Sequence, residues 1–536
     1  MSLDPKRATT LIDVMQRRTA LTPDVQYFSL FDETVTYARL WAQSARYAAG
    51  FAAAGVRPGD KVCLIYPTCA EFFYTFLGAM RLGAVPVPLY PTLGVEGTAG
   101  IFRDSEAVAV ATIGWFRAGV DASVALAPGM RLVLEPNELD SDAPAPPDHA
   151  ARPDDLCFLQ YTSGSTGQPR GVMLSHTNVV ETTKFMAEAA GLTAEDRVVS
   201  WLPLYHDMGL IGCAFTPPLT ATPIWLLPPD LRNPRPWLET ITKVRATFTV
   251  SPDFGYRNCV RNVRDVSDFD LSSLKAALSG AEPVRVSTID SFESHFGLKN
   301  VIAPCYGLAE ATLAVAIWPR GVPPRYDTSG RWLSVGQPCR GVELRVAEPM
   351  REGDPVDLVD VPPETEGEIC VKSPGVMLGY YNNPEATANV LTADGWLRTG
   401  DLGFVDAEGY LYITGRLKDV IILGGENIAP ADVEEIVDHV PGIRYSAAVG
   451  VDSERTGTQR LYVVAELRDA GADATAGQTL VREIVQRVHR GKGHRPARVL
   501  LVQPSTIPKT SSGKIQRSRL VEMIEAGQLR ERTVVG

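Results

Sequence analysis

At 536 residues the chain exceeds what one hydrophobic core usually spans, so at least two domains are expected. Its 45% hydrophobic and 21% charged content is that of an ordinary globular protein and excludes a disordered or fibrous chain over most of the length. A net charge of -11 offers no basic face to nucleic acid, and neither a signal-peptide core nor a run of about eighteen apolar residues is present, so a cytoplasmic protein with no nucleic-acid partner and no membrane span is expected.

In chain order, residues 62–65 read as a buried strand, 70–82 as an apolar helix closed by Gly83, and 85–89 as a second strand among prolines, together one βαβ-like unit. The stretch 140–155, rich in proline, alanine and aspartate, reads as an exposed loop. Strands at 156–159 and 172–174 flank a Gly/Ser/Thr-rich run, and further strands at 198–202, 247–250 and 274–278 predict a large α/β domain of mostly parallel sheets with flanking helices. After Arg416 the pattern changes to strands at 420–423, 445–451 and 461–466 with helices after Pro430 and Gln478, predicting a small α+β domain. The division expected is 1–416 and 417–536. Eight cysteines stand singly, without metal-ligand spacing, and read as buried reduced thiols.

The Tyr161-Thr162-Ser163-Gly164-Ser165-Thr166-Gly167-Gln168-Pro169-Arg170-Gly171 run carries the densest chemical signal. Its glycines let backbone N–H groups approach phosphate oxygens, its hydroxyls add donors, and Arg170 adds positive charge. No GK[ST] stands at Walker A spacing, so that phosphate loop is excluded. A flexible linker or hairpin turn shares this composition, but strands on both sides weigh against a linker.

This loop resembles the signature of the adenylate-forming superfamily of acyl-CoA synthetases, luciferases and peptide-synthetase adenylation domains. The resemblance continues through Ser279-Gly280-Ala281-Glu282-Pro283, Tyr306-Gly307-Leu308-Ala309-Glu310-Ala311-Thr312, Thr399-Gly400-Asp401, Gly415-Arg416-Leu417-Lys418-Asp419 and Pro508-Lys509-Thr510-Ser511-Ser512-Gly513-Lys514, in the family's order over nearly the whole chain. It implies an ATP- and Mg²⁺-dependent ligase. Thr162, Ser163, Gly164, Ser165, Thr166 and Gly167 would hold phosphates, Arg170 and Lys514 would neutralise the reacting charges, and Glu310 would take Mg²⁺. Tyr306 and Gly307 would pack on adenine, Gly280, Ala281 and Glu282 would meet its edge, and Asp401, Ile413 and Arg416 would hold the ribose. Lys418 matches the family's hinge, and Gly424 and Gly425, with Glu426 and Asn427, would line the path of an incoming thiol. His206, Asp207, Met208, Gly209, Phe254 and Gly255 fall where the family binds its acid.

The Pro203-Leu204-Tyr205-His206-Asp207-Met208-Gly209-Leu210 run and Ala309 resemble the fatty acyl-AMP ligase branch, whose members hand the acyl group to a carrier protein. That branch's extra segment would fall between Ala311 and Leu333, where this chain is short, and Gly424-Gly425-Glu426-Asn427 resembles CoA ligases. Both departures favour an acyl-CoA synthetase that activates a hydrophobic carboxylic acid and transfers it to CoA; loading of a separate acyl carrier protein is the rival. Ala309 lacks a hydroxyl for the α-phosphate, which Thr312 or Thr162 would supply. Asp207 raises amine recognition as an alternative that its apolar neighbours disfavour. A silent acyl-nucleotide binding module would have no use for Lys514, Glu310 and the phosphate loop together.

Overall fold

The computed structural model describes residues 4–162, 169–230, 233–350, 356–423, 426–453, 458–468, 474–509, 514–529 and 533–535. The first βαβ unit forms as its pattern dictates: strands Lys61–Ile65 and Val85–Pro88 pair in parallel around helix Ala70–Leu82. Every residue of that helix except Glu71 is buried, and it stops at Gly83, whose left-handed φ of 85° lets its N–H return to the carbonyls of Ala79 and Met80. Ala109–Thr112 and Leu132–Leu134 complete a four-stranded parallel sheet.

The larger sheet has eight strands in the order Ala314–Ile317, Ile302–Gly307, Ala276–Gly280, Phe248–Pro252, Val198–Ser200, Ile224–Leu226, Gln26–Leu30 and Glu33–Thr36. The six inner strands are parallel and the two outermost antiparallel. Strands covered on both faces need no polar alternation, which is why they read as short continuous apolar runs. Leu156–Thr162 and Arg170–Ser175 pair as an antiparallel hairpin, extended by Gly379–Tyr380. The 140–155 loop is largely exposed but fastened, with Arg46 paired to Asp140 and Asp142 and Arg81 to Asp148 at 2.6 Å.

One sheet was not foreseen from sequence. Ser334–Gly336, Leu411–Arg416, Leu397–Val405, Gly367–Lys372 and Glu343–Ala347 form a wholly antiparallel sheet. Its strands are interrupted by bulges and mix polar with apolar residues, so no single run announces them.

A single 3₁₀ turn, Leu417–Asp419, leads from this sheet into the small C-terminal domain. There Ile443–Ser453, Thr458–Leu467, Arg498–Val502 and Thr533–Val535 form a sheet with its own core on each face. Successive residues alternate between the cores: Val463 and Ala465 pack with Val433, Val437 and Ile484, while Val464 packs with Leu500 and Leu520. All eight cysteines are free thiols, six of them buried. No helix among the described residues is long and apolar enough to cross a membrane.

Candidate active site

Three parallel strands of the large sheet, Phe248–Pro252, Ala276–Gly280 and Ile302–Gly307, end side by side, and two of the sequence motifs begin at those ends. Ligands bind at the carboxyl ends of such strands, where side chains and backbone groups of successive loops converge. A cavity of about 1040 Å³ opens there, and the small domain closes part of it with Lys509, Lys514 and Gln516.

The polar end of the cavity holds Thr162, Arg170, Ala281, Tyr306, Gly307, Glu310, Arg416, Lys418 and Lys514. Asp401 organises one wall: its carboxylate accepts from the Tyr306 hydroxyl at 2.7 Å and from Arg416 Nε at 2.7 Å. The strand pairing Asp401↔Arg416 puts these two side chains opposite each other. The backbone before Asp401 is fixed in turn, because the Gly400 N–H donates to Glu368, whose carboxylate is bound to a buried Arg398. Asp401 raises the Arg416 guanidinium, and burial beside Asp401 raises the Tyr306 phenol, so the first stays charged and the second neutral.

Glu310 sits in the short turn Ala309–Ala311 and accepts from the Tyr380 hydroxyl at 2.8 Å. Arg170 lies over the Tyr380 ring, 5.2 Å from its centre, so tyrosine, carboxylate and guanidinium form one cluster facing the cavity. Among the described residues no group of three or more His, Cys, Asp and Glu could hold a metal ion. A single carboxylate nonetheless suits Mg²⁺, which keeps several waters and takes its remaining oxygens from substrate phosphates.

Lys514 shares the cavity with Asp207. Burial, with the Arg416 charge behind it, lowers the Lys514 ammonium below the ordinary lysine range, while Asp207 and Asp401 oppose the shift. Burial alone would raise the Asp207 carboxyl, but His206, whose Nδ1 lies 3.0 Å away, and the Met208 N–H at 2.7 Å hold it below the usual carboxylate range. The Lys514 charge acts in the same direction, so Asp207 is held ionised.

Beyond this polar end the cavity becomes an apolar chamber. Met208–Phe215 is wound as a π-helix, a form concentrated at functional sites. Its wide turn brings Met208, Gly212 and Cys213, with Thr216 just beyond, to the chamber, opposite Met186, Leu192, Phe248, Leu313 and Ile317. Apart from Met208, which sits in a motif, no sequence signal short of the fold could have found this wall, since its residues come from four separate segments.

The remaining expected positions divide clearly. Gly209 faces Pro203, whose carbonyl would lie 2.2 Å from an added Cβ, and Gly255 faces the Ser251 hydroxyl at 2.0 Å, so both permit close packing and neither lines the chamber. Phe254 lines a neighbouring apolar cavity of about 310 Å³ with Trp201 and Phe72. Gly280 packs against Cys305, and Glu282 turns away to accept the Phe254 N–H at 2.6 Å at a helix start. Ile413 is half-buried in its strand and absent from the cavity wall. Thr312 corrects the expectation of an α-phosphate hydroxyl: it is fully buried and donates to the Gly375 carbonyl at 2.6 Å, whereas Thr162 lines the cavity. Ser163, Gly164, Ser165, Thr166, Gly167, Gly424 and Gly425 lie outside the described residues.

Residues 15–381 match the AMP-binding enzyme family and residues 432–514 match the AMP-binding enzyme C-terminal domain. The chain is 34% identical over 539 residues to the long-chain-fatty-acid–AMP ligase FadD26 of Mycobacterium marinum, covering 92% of this chain and 91% of the relative. It is 33% identical over 515 residues to a 4-hydroxyphenylalkanoate adenylyltransferase of Mycobacterium tuberculosis, covering 87% and 82%. A structure from a study of fatty acyl-adenylate ligases from E. coli and L. pneumophila aligns with a TM-score of 0.87 at 28% identity, covering 98% of this chain and 99% of that one. This chain belongs to the AMP-binding enzyme family, among the adenylate-forming ligases that include the fatty-acid–AMP ligases.

Proposed function

We propose that this enzyme activates a hydrophobic carboxylic acid as its acyl adenylate and then passes the acyl group to the thiol of CoA. One observation carries the first half: a single cavity is lined both by Lys514, Glu310, Arg170, Tyr306 and Arg416, the last two held from behind by Asp401, and by a set of apolar side chains. The acid's carboxylate would sit at the junction, its chain in the chamber, the nucleotide at the polar end.

A carboxylate and a triphosphate repel each other, so the site must neutralise both before reaction. Lys514 supplies a compact positive charge at the junction, where it would bridge the attacking carboxylate oxygen and the α-phosphate. Arg170 and Thr162 would act on the phosphates, Asp401 and Arg416 on the ribose, and Tyr306 against adenine. Glu310 would hold Mg²⁺, which when bound screens the phosphate charge. The carboxylate oxygen attacks the α-phosphorus, the bond to pyrophosphate breaks, and pyrophosphate leaves. In the second step a thiolate attacks the acyl carbon, the acyl–phosphate C–O bond breaks, and AMP leaves.

The CoA reading rests on the short interval from Ala311 to Leu333, which holds the strand Ala314–Ile317 and a surface loop. A second reading, transfer to a separate acyl carrier protein, is favoured by the relatives named as fatty-acid–AMP ligases. The division at Arg416/Leu417, with Lys418 in the connecting turn, fits a small domain that serves the two steps in two arrangements.

The test is a mass-spectrometric assay with ATP, Mg²⁺ and a panel of hydrophobic acids, with and without CoA, comparing the wild type with Lys514→Ala. Acyl-CoA with AMP release supports the reading as stated. Acyl adenylate that accumulates and ignores CoA moves the acceptor to a carrier protein. No adenylate from any acid, with Lys514→Ala behaving as wild type, refutes the assignment of the site.

A further inference from the structure

Asp438 of the small domain pairs with Arg285 and Arg257 of the large one, and a second pair, Glu434–Arg517, lies beside it within the small domain; none of these residues belongs to the sequence motifs. Helix Pro430–Asp438 carries Glu434 and Asp438 one turn apart, and each side chain is only 4% exposed. Asp438 reaches across the domain boundary. Its Oδ2 lies 2.8 Å from Arg285 Nη1 and 3.6 Å from Arg257 Nη1, while its Oδ1 accepts from the Ser446 hydroxyl at 2.7 Å.

The two arginines are held from behind by Asp253, whose side chain is completely buried. Arg257 Nε stands 2.9 Å from Asp253 Oδ2, the Arg285 backbone N–H donates to Oδ1, and the Thr288 hydroxyl donates to Oδ2. Asp253 follows directly on the strand Phe248–Pro252, so the anchor is part of the strand ends that build the cavity. One turn back on the helix, Glu434 grips Arg517 through both carboxylate oxygens, at 2.7 and 2.8 Å, and also accepts the Ala448 N–H. Arg517 opens the helix Arg517–Glu525, three residues after Lys514.

We propose that Asp438 is a positioning residue for Lys514. The relay from Asp253 through Arg285 and Arg257 to Asp438, and from Glu434 to Arg517, sets where the lysine stands in the cavity and weights the small domain toward the adenylating arrangement. The proposal rests on the adenylation reading of this cavity. Removing one partner of a buried pair is costly because the other charge is left without compensation, so the arrangement that contains the pair loses population. Adenylation requires that arrangement. Transfer of the acyl group from an adenylate already made does not.

The experiment measures the two half-reactions separately in the full-length chain: acid-dependent ATP–pyrophosphate exchange, and transfer from a supplied acyl adenylate to the thiol acceptor that the wild type uses. Asp438→Asn is expected to slow exchange by tenfold or more and leave transfer at the wild-type rate or faster. Because Asp438→Asn takes from Arg285 its nearest carboxylate, the double variant Asp438→Asn/Arg285→Gln, neutral at both positions, is measured beside it; it removes the cross-domain pair without a stranded charge and is expected to show the same split in smaller measure. Equal loss in both half-reactions, or no loss in exchange, in a double variant that melts within a few degrees of wild type would overturn the relay. A wild type that forms no adenylate from any acid would instead refute the reading on which the relay rests.

Discussion

At the scale of single residues, the cavity's charges are tuned by neighbours that the motifs do not name. In the proposed reaction Lys514 would have to be protonated to bridge two anions, and burial lowers its ammonium below the 10.5 of an ordinary lysine. The charged form exists below the folded pKa and is lost as pH rises through it, so the alkaline limb of adenylation is expected below 10.5 in pH–rate profiles. Lys514→Arg, if it retains measurable exchange, is expected to lack that limb, since a guanidinium does not deprotonate in this range. Asp401→Asn keeps the size but removes the charge that holds Arg416 and Tyr306; loss of a charge-assisted hydrogen bond is worth about 1.5–3 kcal/mol, which predicts a KM for ATP raised by roughly ten- to a hundredfold in steady-state assays.

His176 carries a different consequence. It is buried, its Nδ1 accepts the Leu11 N–H at 3.2 Å, and burial pushes its pKa down to about 4 from 6.5. The folded protein therefore prefers the neutral ring, full stability is present above pH 6.5, and it is lost as pH falls from 6.5 toward 4. At pH 5 the shift amounts to about 2 kcal/mol, from roughly 1.4 kcal/mol per unit. Urea unfolding at pH 7.5 and pH 5 is expected to show the wild type losing about that much more than His176→Asn.

At the scale of elements, the π-helix Met208–Phe215 forms one wall of the chamber in which the proposed reading places the acid. A Cβ on Gly212 would stand 3.2 Å from Leu313 Cδ2 and 3.7 Å from Met186 Cε, so a larger side chain there projects into space the acid would use. Gly212→Leu is expected to lower kcat/KM at least tenfold for long-chain acids and to spare short ones, read from a chain-length series; uniform loss across the series would place the acid elsewhere. The chamber also shows why sequence alone gave little on specificity. His206, Asp207 and Met208 were accessible because they sit in one motif, but Met186, Leu192, Phe248 and Leu313 are ordinary apolar residues until helix, strand and loop are brought together. Gly209 and Gly255 mark the opposite error, since a glycine beside a binding motif can serve only the packing beneath it.

At the scale of the whole molecule, the order of motifs along the chain is enough to identify the family, and the family models match it in two stretches, 15–381 and 432–514. Periodicity located the parallel strands, because continuous apolar runs are what burial on both faces demands. It missed the antiparallel sheet from Ser334 to Arg416, whose strands are short, bulged and partly polar, and which are joined by pairings between residues far apart in sequence. That sheet matters, since it presents Asp401 and Arg416 side by side at the end of the large domain.

Without any fold, the motifs suffice to identify an adenylate-forming chain, because the side chains that mark it occur in short local runs that keep their identity whatever surrounds them. The tertiary structure alone decided which of those side chains share a space. It withdrew Thr312 into a hydrogen bond with Gly375, set Asp207 in one cavity with Lys514, turned Glu282 toward a helix start, and brought Asp438 against Arg285 across 153 positions of sequence. The physical reason is that hydrogen bonds, ion pairs and exclusion of water depend on distance in space, and between segments this far apart only the packing of sheets and helices sets that distance.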